Sequence, residues 1–286
     1  MLTHNDAQYL DGCLQSIQEK ISCPFEVILV DNASSVPVPK DLTSRYPWLR
    51  VIRSEKNLGF NAGNNLAARY ANGEYILLLN TDTVLLTDVT SAVRLLETDA
   101  SVGAVGAEAY DGKGHWRPSA GRFPAWWRLW LFRSLWLKPL RPVGPKELQG
   151  FKADWVEGSF LLTRLRDWNE IGGFDEKYFL FGNDIHFCRS SVERGRTVVH
   201  CASVKYAHYC GFGTGRIGNL YAGFREYHRL YSSPFEQKMA NMVLRLGLLA
   251  RVVAYGSWYQ LTGNAEIGEK FRRFVEVQRN WEHLTP

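Results

Sequence analysis

Tyr75 to Leu86 read YILLLNTDTVLL. Tyr75–Leu79 is an unbroken apolar run that stops at Asn80-Thr81-Asp82-Thr83. A run of that length predicts a strand covered on both faces, the kind a parallel α/β sheet supplies. Ligands of such sheets sit beyond the carboxyl ends of the strands. A polar cluster with a carboxylate at that point is placed to hold a metal or a phosphate. Asn and Asp at a strand end also make plain turns and caps, so this stretch alone leaves both readings open.

The flanking sequence alternates. Thr3-His4-Asn5-Asp6 leads into a helix predicted over Ala7–Lys20, with Leu10, Cys13, Leu14, Ile17 and Ile21 at helical spacing and Asn5 or Asp6 as its cap. A strand over Phe25–Val30 ends in Asp31-Asn32, and a short helix near 40–46 precedes a strand over Leu49–Arg53. Asn57 to Asn65, NLGFNAGNN, opens a helix to about Tyr70. Its glycines and asparagines permit unusual backbone angles, and the free N–H groups of a helix start favour phosphate. The spacing is neither G-x-G-x-x-G nor that of a P-loop. A helix over Asp88–Glu97 and a strand over Val102–Ala107 follow, so about the first 110 residues read as a doubly wound α/β unit.

The second half is less regular. Trp155–Thr163 reads as a strand containing Gly158, and the aromatic run Tyr178-Phe179-Leu180-Phe181 stands before Gly182-Asn183-Asp184-Ile185-His186. There a helix opens that stops at Gly195, and Asp184 at its start suits a general base or a cap. Strands over Thr197–Val199 and Val204–Tyr209 bring His208 to a glycine-rich turn. From about Tyr221 the pattern is helical. Ser233-Pro234-Phe235-Glu236 is a capping box. Its helix runs to about Tyr259 with Met239, Met242, Val243, Leu246, Leu249 and Val253 on one side. Arg245 and Arg251 interrupt it, which suits a docked or interfacial helix and not a span.

Composition narrows the function classes. The chain has 286 residues, 45% hydrophobic and 22% charged, with a net charge of +5, so it is an ordinary globular protein that suits anionic ligands or surfaces. Five scattered cysteines and no signal peptide predict reduced thiols in the cytoplasm. No uncharged apolar run approaches the ~18 residues of a membrane span. Gly112 to Lys146 holds no acidic residue but carries Trp116, Trp126, Trp127, Trp130 and Trp136, half of the 10 tryptophans. Arginine interleaved with tryptophan suits contact with anionic lipid, the alternative being an insert folded onto the domain. No nucleic-acid-binding motif is present. A zinc site from His200, Cys201, His208 and Cys210 is disfavoured, because adjacent strand residues point to opposite faces.

In order, VILVDNAS (27–34), NLGFNAGNN, YILLLNTDT, GSFLLTR (158–164), GGFDEKYFLFGNDIHFC (172–188) and the late His208 resemble a family 2 glycosyltransferase of the GT-A fold, from Thr3 to about Gly215. Within the family the chain looks most like bacterial rhamnosyltransferases of cell-surface polysaccharide synthesis. The resemblance implies a mixed, doubly wound sheet in a nucleotide-sugar transferase domain over 1–220, with the basic, Trp-rich insert at 112–148. A C-terminal helical extension covers 221–286. Asp82 matches the last acid of the D-x-D-type motif, with Asn80 in the first position, and His208 the late metal ligand, for Mg²⁺ or Mn²⁺. Asp31 matches the acid that meets the nucleoside base. Asn57, Gly59, Asn61, Asn64 and Trp155 are expected around the donor, and Asp184 as the general base.

The implied reaction is inverting transfer of a sugar, L-rhamnose from a dTDP donor, to a polysaccharide or polyprenyl-linked saccharide. The implied location is cytoplasmic, peripheral on the inner face of an anionic membrane, with no nucleic-acid partner. The chain departs from the family pattern at Asn183, His186 and Ser190, which leaves a catalytically impaired sugar-nucleotide binder or truncated product as the alternative. Only Met1-Leu2 remain of the apolar strand that precedes the Thr-x-Asn turn in relatives. The expectation is that this first strand is missing here, lies upstream, and has Met1 as an internal residue.

Overall fold

The structure, a computed structural model, describes residues 1–129, 142–143, 150–177, 182–209 and 217–284. The chain forms two compact units, Met1–Phe123 with Trp136–Phe179 and Asn183–Gly211, and Pro124–Leu135 with Leu180–Gly182 and Phe212–Pro286.

The first unit begins with β1 (Leu2–Thr3), α1 (Ala7–Lys20), β2 (Val27–Asn32), α2 (Leu42–Arg45), β3 (Leu49–Ser54) and α3 (Gly59–Ala68). Leu10, Cys13, Leu14 and Ile17 form one stripe of α1 and pack with Val27 and Leu29 of β2. On the other side of β2, Ile28 and Val30 pack with Ala67 of α3. All six residues of β2 are buried, which a strand covered by helices on both faces requires. β1, β2 and β3 make a parallel three-stranded sheet in that order.

Next come β4 (Tyr75–Leu79), β5 (Thr83–Leu85), α4 (Thr90–Thr98), β6 (Val102–Asp111), β7 (Trp116–Arg117) and β8 (Ala120–Gly121). Then follow β9 (Pro142–Val143), β10 (Gly150–Ala153), β11 (Trp155–Val156), β12 (Phe160–Arg164), α5 (Leu165–Ile171), α6 (Asn183–Glu193) and β13 (Thr197–His208). The larger sheet has the order β4-β12-β6-β13-β10-β9, with β5 on β13 and β7 on β6, and β8 pairs with β11 apart from it. Only β13 and β6 run parallel in this sheet; the fold is mixed α/β, as expected.

Two expectations change. The strand read over Trp155–Thr163 is two, because the chain turns at Glu157–Ser159, where Phe160 N–H reaches back to Glu157 O at 3.2 Å. The two strands read over 197–209 are one, with an irregularity between Cys201 and Lys205. The first strand is the two-residue Leu2–Thr3, bonded in parallel to Val30 and Asp31. Of the basic stretch, β7 and β8 are woven into the first unit's strands, so Arg117 stands opposite Ala109 in the sheet. Trp130 and Trp136 lie outside the described residues, as do Tyr178–Phe181 and Gly211–Gly215.

The second unit contains α7 (Ile217–Tyr231), α8 (Pro234–Thr262), α9 (Ala265–Arg279) and a 3₁₀ turn (Trp281–His283). The capping box is present: Ser233 Oγ accepts from Glu236 N–H, and the Glu236 carboxylate accepts from Ser233 N–H at 2.9 Å. Gly263 ends α8 with φ of 62°, a left-handed angle that glycine adopts without strain. Ala240, Val243, Leu244 and Leu248 of α8 are buried, and Tyr255 stacks on Phe274 of α9 at 5.3 Å. The opposite side of α8 exposes Phe235, Met242, Leu246, Leu249 and Val253 in one helical stripe.

One buried ion group anchors the larger sheet. Arg164, at the end of β12, is 4% exposed and donates to Val102 O at 2.6 Å, to Asp99 O at 3.0 Å and to the buried Asp167 carboxylate at 2.9 Å. Removing one partner of a buried pair leaves an uncompensated charge. Arg164→Ala is therefore expected to destabilise the chain by about 3 kcal/mol in denaturant unfolding, less than the full loss for an isolated pair because Arg196 stays 3.4 Å from Asp167.

Candidate active site

Strand pairing brings the two ends of the sequence signal together. Asp82 lies one residue before β5, and β5 runs antiparallel to the end of β13 with Thr83 opposite His208. Tyr209 N–H also donates to Asp82 O at 2.9 Å. As a result His208 Nε2 stands 3.2 Å from Asp82 Oδ2, with both side chains largely buried. Behind Asp82, Thr83 Oγ1 donates to Asn80 O at 2.6 Å and Asn80 N–H to Ser159 O at 3.2 Å, which fixes the turn after β4.

The far side of the imidazole is held by residues that the sequence reading did not single out. Arg117 Nη1 lies 2.7 Å from Nδ1, and Arg117 Nη2 donates to Glu157 Oε1 at 2.5 Å. A guanidinium has no acceptor, so Nδ1 accepts from Arg117 only while Nε2 carries the ring proton toward Asp82; for Nε2 to ligate a cation the proton would have to sit on Nδ1, where the Glu157 carboxylate, not Arg117, would accept it. Glu157 Oε1 is itself 3.7 Å from Nδ1. Tyr206 Oη donates to Glu157 Oε2 at 3.3 Å and meets Ser159 Oγ at 2.8 Å. Arg117 was legible only as one cation of a basic stretch; Glu157 carried no motif.

The same turn reaches Asp184. Gly158 N–H donates to Asp184 Oδ2 at 3.2 Å, and Ile185 N–H to Oδ1 at 2.8 Å. Burial pushes this carboxyl up to about 6, against the two N–H bonds, and the Glu157 charge adds to the rise. A carboxylate poised near neutrality at a helix start is suited to taking a proton.

Asp82 and His208 offer one oxygen and one nitrogen. Among the described residues no group of three or more His, Cys, Asp or Glu forms a complete protein cage. The 3.2 Å between the two donor atoms is close to the ~3 Å between neighbouring ligands of an octahedral cation with bonds of about 2.1 Å. With Nε2 unprotonated, the two side chains could supply two ligands of such a cation, the others having to come from outside the protein.

Comparison with known proteins decides the family. The model of glycosyl transferase family 2 matches residues 1–159. The chain belongs to glycosyl transferase family 2. Among curated family relatives, the N-acetylglucosaminyl-diphospho-decaprenol L-rhamnosyltransferase of Mycobacterium tuberculosis (strain H37Rv) is 26% identical over 246 residues, 75% of this chain and 76% of that protein. Rhamnosyltransferase WbbL of Escherichia coli K12 is 25% identical over 73% of this chain and 83% of its own length. In fold, the chain is similar to GalNAc-T7 with UDP, GalNAc and Mn²⁺ (TM-score 0.64, 13% identity), covering 99% of this chain but only 55% of that one. It is also similar to a Pyrobaculum calidifontis mannosyltransferase with GDP-Man and Mn²⁺ (TM-score 0.60, 18% identity), over 96% and 83%. The fold is of the GT-A type.

The other family positions divide into two groups. Asp31, 1% exposed, accepts from Ser34 N–H at 3.0 Å, Val38 N–H at 3.3 Å and the Arg53 guanidinium. Burial, the largest influence, pushes its carboxyl up, but these bonds outweigh it and hold the pKa below the ordinary value. Asn57 accepts from Asn32 Nδ2 and from Gly59 N–H, both at 2.9 Å, with Gly59 at φ 79°. That loop sits at the end of β2, where a nucleotide is expected. Asn61 and Asn64 are buried and bonded to Asp175 O and Phe60 O, both within the scaffold. Trp155 is 5% exposed and donates its indole N–H to Arg122 O at 2.9 Å. These bonds tie the three side chains to the scaffold, while Asn61 Oδ1 is buried without a partner among the described residues.

The raised Asp184 pKa carries a direction. The carboxyl is protonated below about pH 6 and ionised above it. The turnover of the enzyme is expected to fall with acid through that pH, approaching tenfold per unit, in a pH–rate profile. A profile flat down to pH 5 would place the essential base elsewhere.

Proposed function

We propose that the chain is an inverting glycosyltransferase that moves L-rhamnose from thymidine diphosphate to a polyprenyl-linked saccharide or a growing polysaccharide. The observation that carries the reading is the Asp82–His208 pair at 3.2 Å. The rhamnosyl group and the lipid-linked acceptor follow the names of the two family relatives.

A divalent cation, Mg²⁺ or Mn²⁺, at Asp82 and His208 supplies Lewis-acid neutralisation of the departing diphosphate. Asp31 and Arg53 brace the loop after β2 against the nucleoside, and the Asn57–Gly59 turn faces the same end. Asp184 takes the proton of the acceptor hydroxyl as the new bond forms on the face opposite the leaving group. Arg117 balances Glu157, so that the turn between the metal pair and the base carries no uncompensated charge.

A thermal-shift screen with thymidine, uridine and guanosine diphosphate sugars, with and without Mn²⁺, tests the reading. The thymidine diphosphate sugar is expected to give the largest, Mn²⁺-dependent shift. Asp82→Ala and His208→Ala should each weaken that dependence, and unchanged behaviour in both removes the metal assignment. Asp184→Asn should keep the donor shift and lose at least ~10²-fold in turnover. The division of the sheet beside β1 favours a second reading, a sugar-nucleotide binder without turnover; a donor shift with no transfer by the unaltered chain would select it.

The chain works, in this reading, on the inner face of a membrane. Support comes from the exposed stripe of α8 beside Lys238 and Arg245, and from the exposed Trp127 with Arg128 4.6 Å over its ring. α8 is the one described helix long and apolar enough to cross a bilayer. Its opposite face packs on helices of its own unit, so it lies in the interface. Vesicles containing anionic lipid should sediment the protein and release it at high salt, where charges more than a few Å apart are screened. Leu246→Asp with Leu249→Asp should weaken capture, as should Trp126→Ala with Trp127→Ala. Capture indifferent to salt and to all four changes would exclude this surface.

A further inference from the structure

The two nitrogens of His208 carry conflicting demands. Nε2 lies 3.2 Å from Asp82 Oδ2. Nδ1 has a donor and an acceptor within reach, Arg117 Nη1 at 2.7 Å and Glu157 Oε1 at 3.7 Å. A neutral imidazole carries one proton, so the partner of Nδ1 decides what Nε2 can do. With Arg117 on Nδ1, Nε2 carries the hydrogen and gives it to Asp82. With Glu157 on Nδ1, Nε2 turns a lone pair toward the Asp82 oxygen, and two acceptors at that spacing repel unless a cation lies between them.

The surroundings hold both partners ready. Arg117, Glu157 and His208 all have largely buried side chains. Glu157 N–H donates to Ser119 O at 2.8 Å, and Tyr206 Oη donates to Glu157 Oε2 at 3.3 Å, so the carboxylate is fixed from behind. Glu157 Oε1 accepts from Arg117 Nη2 at 2.5 Å and, as a carboxylate oxygen, has a second lone pair for an Nδ1–H. Exchange of partners therefore needs ring and carboxylate to close by about 0.8 Å, to ordinary hydrogen-bond distance. Arg117 keeps Nη2 in place and withdraws only Nη1.

We propose that Arg117 and Glu157 are opposed positioning residues that select the tautomer of His208, Arg117 holding the site in a form that refuses a divalent cation and Glu157 turning it to the form that accepts one. Both roles rest on the reading of Asp82 and His208 as the metal pair. In the exchange the Nε2–H bond breaks and an Nδ1–H bond forms, the proton passing through water, so the ring stays neutral. Arg117 stays charged beside Glu157 throughout. Loss of Glu157 leaves Nδ1 to Arg117 and keeps the hydrogen on Nε2. Loss of Arg117 removes the competitor and leaves the carboxylate to take the Nδ1 proton. A purely structural Arg117 predicts the opposite sign, since its loss would loosen the ring and weaken cation binding.

The ring proton can be followed directly by nitrogen NMR of the unaltered chain with labelled histidine, the His208 signals being assigned by their loss in His208→Ala. The hydrogen is expected on Nε2 without cation and on Nδ1 with Mg²⁺ and thymidine diphosphate. Mn²⁺ binding with the same nucleotide, read by electron paramagnetic resonance, gives the second measure. Arg117→Met should bind Mn²⁺ several-fold more tightly, and Glu157→Met at least ~10-fold more weakly. Glu157→Gln, whose amide oxygen still accepts, should recover most of that loss. A hydrogen that stays on Nε2 while Mn²⁺ binds overturns the proposal and leaves the metal pair standing, as does weaker binding by Arg117→Met. An unaltered chain that binds no Mn²⁺ overturns both.

Discussion

The antiparallel pairing of β5 with the end of β13 is the constraint on which the site depends. It joins residues 83–85 to 206–208, and so closes a loop of more than a hundred residues onto one carboxylate and one imidazole. A shift of one residue would turn Asp82 or His208 to the other face, because side chains alternate along a strand. Buried residues protect the register. Leu85 and Tyr206 are 1% and 0% exposed, and both belong to the main core with Phe160 and Leu14. Hydrophobic packing, not any contact between the functional groups, sets their distance.

The polar interior is arranged in the same way. Asp31 is saturated by two backbone donors and Arg53, and Arg164 by carbonyls and Asp167. Buried charges of this kind cost stability when unpaired, and each here has a partner. Their effect on the site is indirect: Asp31 shapes the loop after β2, and Arg164 pins β12 against β6.

Much of this was legible in the sequence because it rested on local pattern. The apolar run Tyr75–Leu79, the stripe of α1 and the Ser233 capping box are decided by residues within a few positions of one another. Asp82, Asp184 and His208 stood out because chemistry-bearing types followed strand or helix boundaries. Glu157 and Arg117 did not, since their meaning comes from a pairing across forty positions. Asn61, Asn64 and Trp155 were read as donor neighbours from their place in the sequence, and the fold adds what that reading lacked, hydrogen bonds from each side chain to a backbone carbonyl. The irregularity inside β13 was invisible because three ordinary residues, Ala202 to Val204, carry it.

The turn at Glu157–Ser159 touches everything. Glu157 meets Arg117, His208 and Tyr206, Gly158 donates to Asp184, and Ser159 receives the amide of Asn80. In the proposed mechanism, three consecutive peptides thus act as a ruler that spaces the Asp82–His208 pair from Asp184. Energies of residues sharing such a network do not add. Directed evolution that retunes one partner will therefore drag the other with it. Changes to substrate preference are better sought in the loop after β2, where adjustment leaves the ruler alone.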